Sequence, residues 1–429
     1  MDGDAHVEPE LDSFTRWLPL PYRVAVIIVL GVWAWGANLH YLFLIRIVRW
    51  KPHRAALPTD DGCVQDVPSL IKYPGRPSAT HPPHHLSTYR LAALLTIPLL
   101  ISLFLFWTIT HGDPARVVDW EALPNLYLVV MVLCVVLPWH SLSRSGRFRF
   151  MATLKRISVG GIAEAQDGKF GDILMADALT SYAKVLGDLF VTLCMMFSSS
   201  RHSTGKPERS CGGAFWVPFI ISIPSLIRLR QCLIEFLRVR RSNARSGSIG
   251  PHGWGGQHLA NALKYSSAFP VIILSALQRG YDPASFGMSE AGLFRLWLAA
   301  VLANSFYSFY WDVAKDWDLT LFSSERSNPE HPWGLRRQRW FHAKQMYYTV
   351  VVVDFFLRCT WSIKLSPHLD HFNDLEGGIF VMQLMEVFRR WVWIFFRVET
   401  EWSKSGQAAC SCSLLLIWLN SPQQSWSSA

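Results

Sequence analysis

The sequence predicts an all-α, polytopic membrane protein, a transmembrane helical bundle of about nine spans. Three observations lead to this class. Half of the 429 residues are apolar, including 20 Trp and 26 Phe, whereas only 17% are charged. The apolar residues gather into stretches close to the roughly 20 residues that a helix needs to cross a bilayer. The polar segments between these stretches alternate in charge, as loops on opposite sides of a membrane do.

The predicted spans follow one another along the chain. They cover residues 21–45, 91–110, 123–139, 171–197, 215–228, 262–277, 291–311, 347–363 and 378–396. The third, fifth and sixth give the weakest signals because they are short or contain Pro. The first is interpreted as a retained anchor, since its N-terminal flank is acidic and its apolar run is too long for a cleaved signal peptide.

We divide the chain into four parts. These are a short luminal N-terminus (1–20), a front section of three spans (21–142), a charged transmembrane section (143–402) and an atypical C-terminal tail (403–429). No functional role is assigned to the tail.

The charged loops predict the orientation of the chain. Basic residues concentrate in 46–54, 143–156, 228–245 and 334–340, and the alternate loops 111–121, 278–290 and 366–376 are acidic or weakly charged. Basic loops face the cytosol, so nine spans place the N-terminus in the lumen and the C-terminus in the cytosol. The loop 201–210 dissents, because it is net positive on the predicted luminal side.

The net charge of +9 is explained by this orientation and by contact with lipid headgroups in the bilayer. We therefore expect no nucleic-acid partner. The eight cysteines include no CxxC pair and no zinc-ligand spacing, and those inside spans are interpreted as small apolar residues. The segment His81–His85 is more typical of a linker than of a metal site, so no metal and no cofactor are predicted.

One predicted span carries a regular polar pattern. Asp177, Ser181, Lys184 and Asp188 recur at intervals of four, three and four residues. This spacing predicts a single stripe along one face of one helix. Ionisable side chains within a span are costly and mark a protein interior or a water-filled cavity.

The later spans carry further charges. They are Lys264, the pair Asp312 and Asp316, the pair Asp354 and Arg358 with Trp361 one turn further, and the pair Glu386 and Arg390 beside Arg389. Each pair alone is explained by a structural salt bridge. Together they suggest more, because Arg389–Arg390 is a doublet with one local acid. Adjacent guanidinium groups are suited to bidentate binding of an oxyanion such as phosphate.

The ordered motifs FGDILMADALTSYAKVLGD, NALKYSSAF, FYSFYWDVAKDWDLTLF, DFFLRCTWSI and MEVFRRWVWIFFRVETE resemble those of the EXS-domain family. The resemblance covers about residues 160–402. The family includes phosphate exporters of animals and plants. It implies a phosphate pathway at Asp177, Thr180, Lys264, Asp312, Asp316, Arg358, Trp361, Arg389 and Arg390, supported by Lys184, Asp188, Asp354 and Glu386. Thr180 departs from the pattern, since exporters commonly have Asn there.

Exporters of this family carry an SPX domain before their spans, and only about twenty residues precede the first span here. The chain therefore resembles the short fungal Golgi form, which implies return of luminal phosphate to the cytosol and support for retaining glycosyltransferases and ER residents. The alternative is a retention factor that binds a cytosolic sorting adaptor, with purely structural buried charges. A membrane enzyme is disfavoured because the motif WDVAKDW lacks the flanking residues of lipid phosphotransferases. A homodimer is left open.

Overall fold

A computed structural model describes eleven ranges of the chain. They are 11–50, 84–137, 144–163, 169–198, 201–250, 253–282, 287–324, 331–336, 339–341, 343–360 and 376–420. In these ranges all regular structure is helical, which confirms the predicted all-α class. Trp361, a predicted site residue, lies outside the described residues.

The fold is a succession of helices of unequal length. They are α1 (Ser13–Trp17), α2 (Leu20–Trp50), α3 (His84–Thr110), α4 (Pro114–Asp119), α5 (Ala122–Val136), α6 (Arg144–Lys155), α7 (Lys169–Ser181), α8 (Ala183–Met196), α9 (Trp216–Ser246), α10 (Gly256–Ser266), α11 (Ala268–Arg279), α12 (Glu290–Trp311), α13 (Lys344–Arg358) and α14 (Glu376–Asn420). Two π-helical turns, Arg156–Gly160 and Asp312–Asp316, and a 3-10 turn, Pro332–Gly334, complete the regular structure of the described ranges.

Five helical segments of the described chain are long and apolar enough to cross a membrane. They are Leu20–Leu42, His85–Thr110, Pro114–Val136, Trp216–Ser246 and Gly256–Arg279, and the bent pair of α7 and α8 would make a sixth. The other three predicted spans coincide with α12, α13 and the first part of α14. These fall short of the same length or hydropathy limits, so the count of nine stays a prediction.

Apolar packing joins the front helices to the rest of the bundle. Tyr22, Phe106 and Leu128 are fully buried where α2, α3 and α5 meet. Because lipid is as apolar as these side chains, close packing rather than removal from water holds such helices together. The same cluster contains Val185 of α8 and Val387 of α14. The front section therefore packs directly against the charged section.

The segment between α8 and α9 is held by a disulfide to α8 and by hydrogen bonds to Glu121 and to the Val117 carbonyl of α4. A disulfide joins Cys194, near the end of α8, to Cys211, which corrects the interpretation of Cys194 as a free apolar residue within a span. The Ser203 amide donates a 2.9 Å hydrogen bond to Glu121, and the Thr204 hydroxyl donates one of 2.8 Å to the Val117 carbonyl. Disulfides persist in oxidising compartments, which agrees with the luminal side that the charge pattern predicts for this loop.

Candidate functional site

Irregular helices position the charged residues. The axis bends by 61° between α7 and α8, at Tyr182, whose amide bonds the Leu179 carbonyl. Ser267 separates α10 from α11, and α12 ends in the π-helical turn Asp312–Asp316. Interrupted helices within a membrane are tolerated where they line a cavity, and they form the substrate sites of many transporters.

Asp312 lies at the centre of the site. Its side chain is fully buried and contacts three cations from three other helices. Lys264 Nζ lies 3.0 Å from Oδ1, and Arg389 Nη1 lies 3.4 Å from Oδ2, where Arg358 Nη2 also binds. Lys264 also reaches Asp316, at 3.3 Å. These contacts offset the charge repulsion expected between Asp312 and Asp316, which lie four residues apart.

Arg389 is surrounded by carboxylates. It binds both oxygens of Glu386 and donates to Asp354 Oδ1 at 3.2 Å, in addition to its contact with Asp312. Glu386 is the one acid that α14 itself supplies to this arginine, as the sequence indicates. Asp312 and Asp354 come from other helices, and spacing within one helix gives no sign of them.

Arg390 has different surroundings. Its Nε donates to the Ser181 hydroxyl at 2.9 Å and its Nη2 to the Thr180 hydroxyl at 3.2 Å, and its guanidinium lies 4.6 Å from the Trp393 ring centre. The residue is 6% exposed, and its Nη1 is buried and has no hydrogen-bond partner among the described residues. Among the described residues, no carboxylate lies within ion-pair distance of Arg390. Arg389 thus contacts carboxylates and Arg390 contacts hydroxyl groups, and joint binding of an oxyanion by the two arginines stays a prediction.

Asp177 brings in two residues that the sequence analysis missed. Arg228 Nε donates to Asp177 Oδ1 at 2.7 Å, and the Tyr265 hydroxyl binds the same oxygen. Arg228 is 4% exposed, although it was placed in a basic cytosolic segment. A signal existed, because Arg228, Gln231 and Glu235 lie at i, i+3 and i+7 and so share one face of α9.

The predicted single stripe from Asp177 to Asp188 is wrong because the bend at Tyr182 divides it. Asp177 and Ser181 face the charged cluster, and Ser181 donates to Glu386 Oε1 at 2.7 Å. Asp188, beyond the bend, accepts a 2.6 Å hydrogen bond from Gln383. Lys184 is exposed and lies near Asp188 and Glu386 without contacting them.

A cavity of about 250 Å³ leads towards this cluster from the end that carries the later part of α14. Its lining includes Asp177, Arg228, Glu235, Lys315, Asp316 and Arg397. The predicted orientation places its mouth on the cytosolic side. Within the described ranges, no three His, Cys, Asp or Glu side chains are grouped as a metal site requires, and Asp312 and Asp316 share Lys264 instead.

Replacing Arg358 by Lys is expected to impair the activity of this site at least about tenfold. Arg358 joins Asp312 to Asp354 through two different nitrogens, and the point charge of Lys cannot reproduce this planar geometry. Both carboxylates keep contacts with Arg389, so the variant should fold and insert. The check is solute flux together with the elution profile of the purified variant. Full activity would show that charge alone suffices at this position.

Comparisons with known proteins place the chain in a family. The sequence model of the EXS family matches residues 18–403, which includes the front helices. Protein ERD1 homolog 2 of Schizosaccharomyces pombe is 27% identical over 394 residues, covering 89% of this chain and 96% of the relative. Protein ERD1 homolog 1 of the same yeast is 30% identical over 400 residues, 92% and 94% of the two chains.

A longer relative extends the comparison to animals. Solute carrier family 53 member 1 of Mus terricolor is 27% identical over 300 residues, which is 67% of this chain and 40% of that protein. The family match covers most of the chain, and its range includes the residues that meet around Asp312. The chain is a multi-pass helical membrane protein that belongs to the EXS family.

Proposed function

We propose that the protein is a transporter or channel that returns inorganic phosphate from the Golgi lumen to the cytosol. Glycosylation releases this phosphate in the lumen, and its removal would support retention of glycosyltransferases and of ER luminal proteins. The observation that carries the proposal is Arg390, a buried cation with hydroxyl partners and no described carboxylate partner.

A buried charge without a counter-ion is costly, by several kcal/mol in a protein interior. Lys264, Arg358 and Arg389 all have carboxylate partners. The hydrogen-bond partners of Arg390 among the described residues are the hydroxyl groups of Ser181 and Thr180. Its free Nη1 is a donor that a bound oxyanion would satisfy, and guanidinium groups match phosphate geometry.

The carboxylate of Glu386, which is linked to Arg390 through Ser181, suggests phosphate rather than sulfate as the substrate. Protonated phosphate can donate a hydrogen bond to a carboxylate, whereas sulfate at neutral pH only accepts. Glu386 is linked to Arg390 through Ser181, and its side chain is 37% exposed. An anion at Arg390 would therefore lie beside a carboxylate acceptor.

One relative is named a solute carrier, which supports membrane transport in general terms. We place the protein in the Golgi by analogy with the short fungal form, with a luminal N-terminus and a cytosolic C-terminus. We also propose that it is not an enzyme, because the buried carboxylates of the described site are paired with lysine and arginine side chains.

The direct test is phosphate flux through proteoliposomes that contain the purified chain. The proposal expects phosphate to cross faster than in protein-free vesicles and faster than sulfate under the same gradient. Absence of flux under several pH gradients would contradict it.

The retention-factor alternative is favoured by a feature at the end of α9. Arg238, Arg241 and Arg245 line an open cavity of about 520 Å³ on the predicted cytosolic side. An acidic segment of a sorting adaptor could bind there, where it could not reach Arg389 or Arg390.

Replacing Arg238, Arg240, Arg241 and Arg245 by Gln should leave phosphate flux near the wild-type rate, because these residues lie on the surface end of α9. Retention of glycosyltransferases should be disturbed if an adaptor binds there. The measurement pairs flux with glycosyltransferase localisation for the same variant. Lost flux with normal localisation would contradict this division of roles.

A further inference from the structure

A row of polar contacts runs along α14 towards its N-terminal end. Glu376, Gln383, Glu386 and Arg390 lie at i, i+7, i+10 and i+14, so they share one face of the helix. In that order their partners are Arg209, Asp188, Ser181, and Ser181 with Thr180. We call this row the α14 polar seam. It extends about 21 Å at 1.5 Å per residue, from the predicted luminal end to Arg390.

The luminal end of the seam is closed by an ion pair. Arg209 binds both oxygens of Glu376, at 2.7 and 2.9 Å, and Glu376 also accepts a 2.7 Å hydrogen bond from Arg23. Burial would raise the pKa of the Glu376 carboxyl, but the hydrogen bonds and charges of these arginines hold that pKa below its usual value. Arg209 belongs to the loop 201–210, which is net positive on the predicted luminal side. Its ion pair with Glu376 gives a structural reason for part of that positive charge.

Two further cations lie beside this ion pair. Lys184 of α8 and Arg279 at the end of α11 are both exposed. The charges that act on Lys184 are the nearby carboxylates of Glu386 and Asp188 and, more weakly, Arg209 and Arg279. Neither Lys184 nor Arg279 has an ion-pair or hydrogen-bond partner in the part of the chain that the structure describes. Arg279 instead experiences the like charge of Arg209.

The exposure of Lys184 indicates a water-filled opening. A lysine within a span does not face lipid without a large cost, and Lys184 follows directly on the bend of the α7–α8 pair. Glu386, across from it on α14, is also partly exposed. Arg209, Lys184 and Glu386 are thus all at least partly exposed, and Ser181 links Glu386 to Arg390.

We propose that Lys184, Arg209 and Arg279 form a luminal capture site for inorganic phosphate, from which the anion moves along the α14 polar seam to Arg390. The inference rests on the proposed function and adds the luminal access route to it. Lys184 and Arg279 have no ion-pair partner among the described residues, and exposed unpaired cations raise the local concentration of an anion and its association rate.

The first test uses proteoliposomes of the full chain with phosphate supplied on the luminal side. The Lys184→Gln/Arg279→Gln double variant should lower the rate at low phosphate about tenfold more than the rate at saturating phosphate. The charge-retaining Lys184→Arg/Arg279→Lys variant should recover most of this loss, and the dependence of the rate on ionic strength should become shallower only in the Gln variant. Lys206→Gln, which removes an exposed lysine of the same loop, is the control.

If the Gln variant keeps the wild-type flux at low phosphate, the capture site is overturned and the proposed function stays intact. No flux in the wild type would instead end the proposed function. A second measurement remains informative in both cases. Lys184→Cys should react with a negatively charged, membrane-impermeant thiol reagent added on the luminal side, and phosphate should slow that reaction. A rate that phosphate does not change, or reaction from the cytosolic side alone, would overturn the proposal.

Discussion

The Arg390→Gln variant is expected to lose phosphate flux by about 100-fold or more and to keep nearly its full stability. Removing a charged partner from a buried, hydrogen-bonded charge pair costs 2–5 kcal/mol, and each 1.4 kcal/mol corresponds to a factor of ten. Gln can still bond to Ser181 or Thr180, which are the contacts that Arg390 makes. No described carboxylate loses an ion-pair partner, so the fold should tolerate the change.

Arg389→Gln is the matched control for this prediction. The two arginines are neighbours on α14 and equally buried, but Arg389 neutralises Glu386, Asp354 and Asp312. Removing one partner of a buried ion pair costs about 3–5 kcal/mol, so this variant should unfold at a clearly lower temperature. Thermal unfolding in detergent, measured beside flux, separates the two variants. Normal flux in Arg390→Gln would show that this cation is structural.

Asp312→Asn is expected to have the largest effect on stability among the site residues. Asp312 is fully buried and shared by Lys264, Arg358 and Arg389. An amide of the same shape removes the one negative charge common to three cations and directs an N–H₂ donor at them. A loss of about 3–5 kcal/mol is expected, together with loss of flux.

Asp316→Asn provides the comparison. Asp316 is 16% exposed, contacts Lys264 at 3.3 Å and lies 3.9 Å from Arg397. Its removal leaves Lys264 paired with Asp312, so the unfolding temperature should fall much less. The measurement is the unfolding temperature of both variants in the same detergent. Equal losses would contradict the central position of Asp312.

Sequence reasoning located the charged residues of the site but not their pairing. Asp177, Lys264, Asp312, Arg358 and Arg389 were recognised because ionisable residues in apolar surroundings are conspicuous. Their partners lie on different helices, and spacing within one helix carries no information about them. The salt bridge between Arg358 and Asp354 was visible as an i,i+4 pair, whereas the contact of Arg389 with Asp354 required the packing of α13 against α14.

Two local features escaped prediction for separate reasons. The bend at Tyr182 contains neither Pro nor Gly, which are the usual signals of a break, so a regular spacing was read across it. The disulfide between Cys194 and Cys211 spans the end of a helix and a loop, and such a pairing depends on how the loop folds back. Both features position residues of the proposed luminal capture site, since Lys184 follows the bend and Arg209 lies in the loop that the disulfide closes.

Phosphate-dependent stabilisation of the purified protein tests the central claim most directly, because it reads binding at Arg390 without requiring transport. A ligand that binds only the folded state stabilises it by about 2.7 kcal/mol at 100 times its Kd. The unfolding temperature of the wild type should rise with phosphate and rise less with equal sulfate. That of Arg390→Gln should rise no more with phosphate than with sulfate. An equal, phosphate-specific rise in both proteins would contradict the assignment of Arg390 as the anion-binding residue.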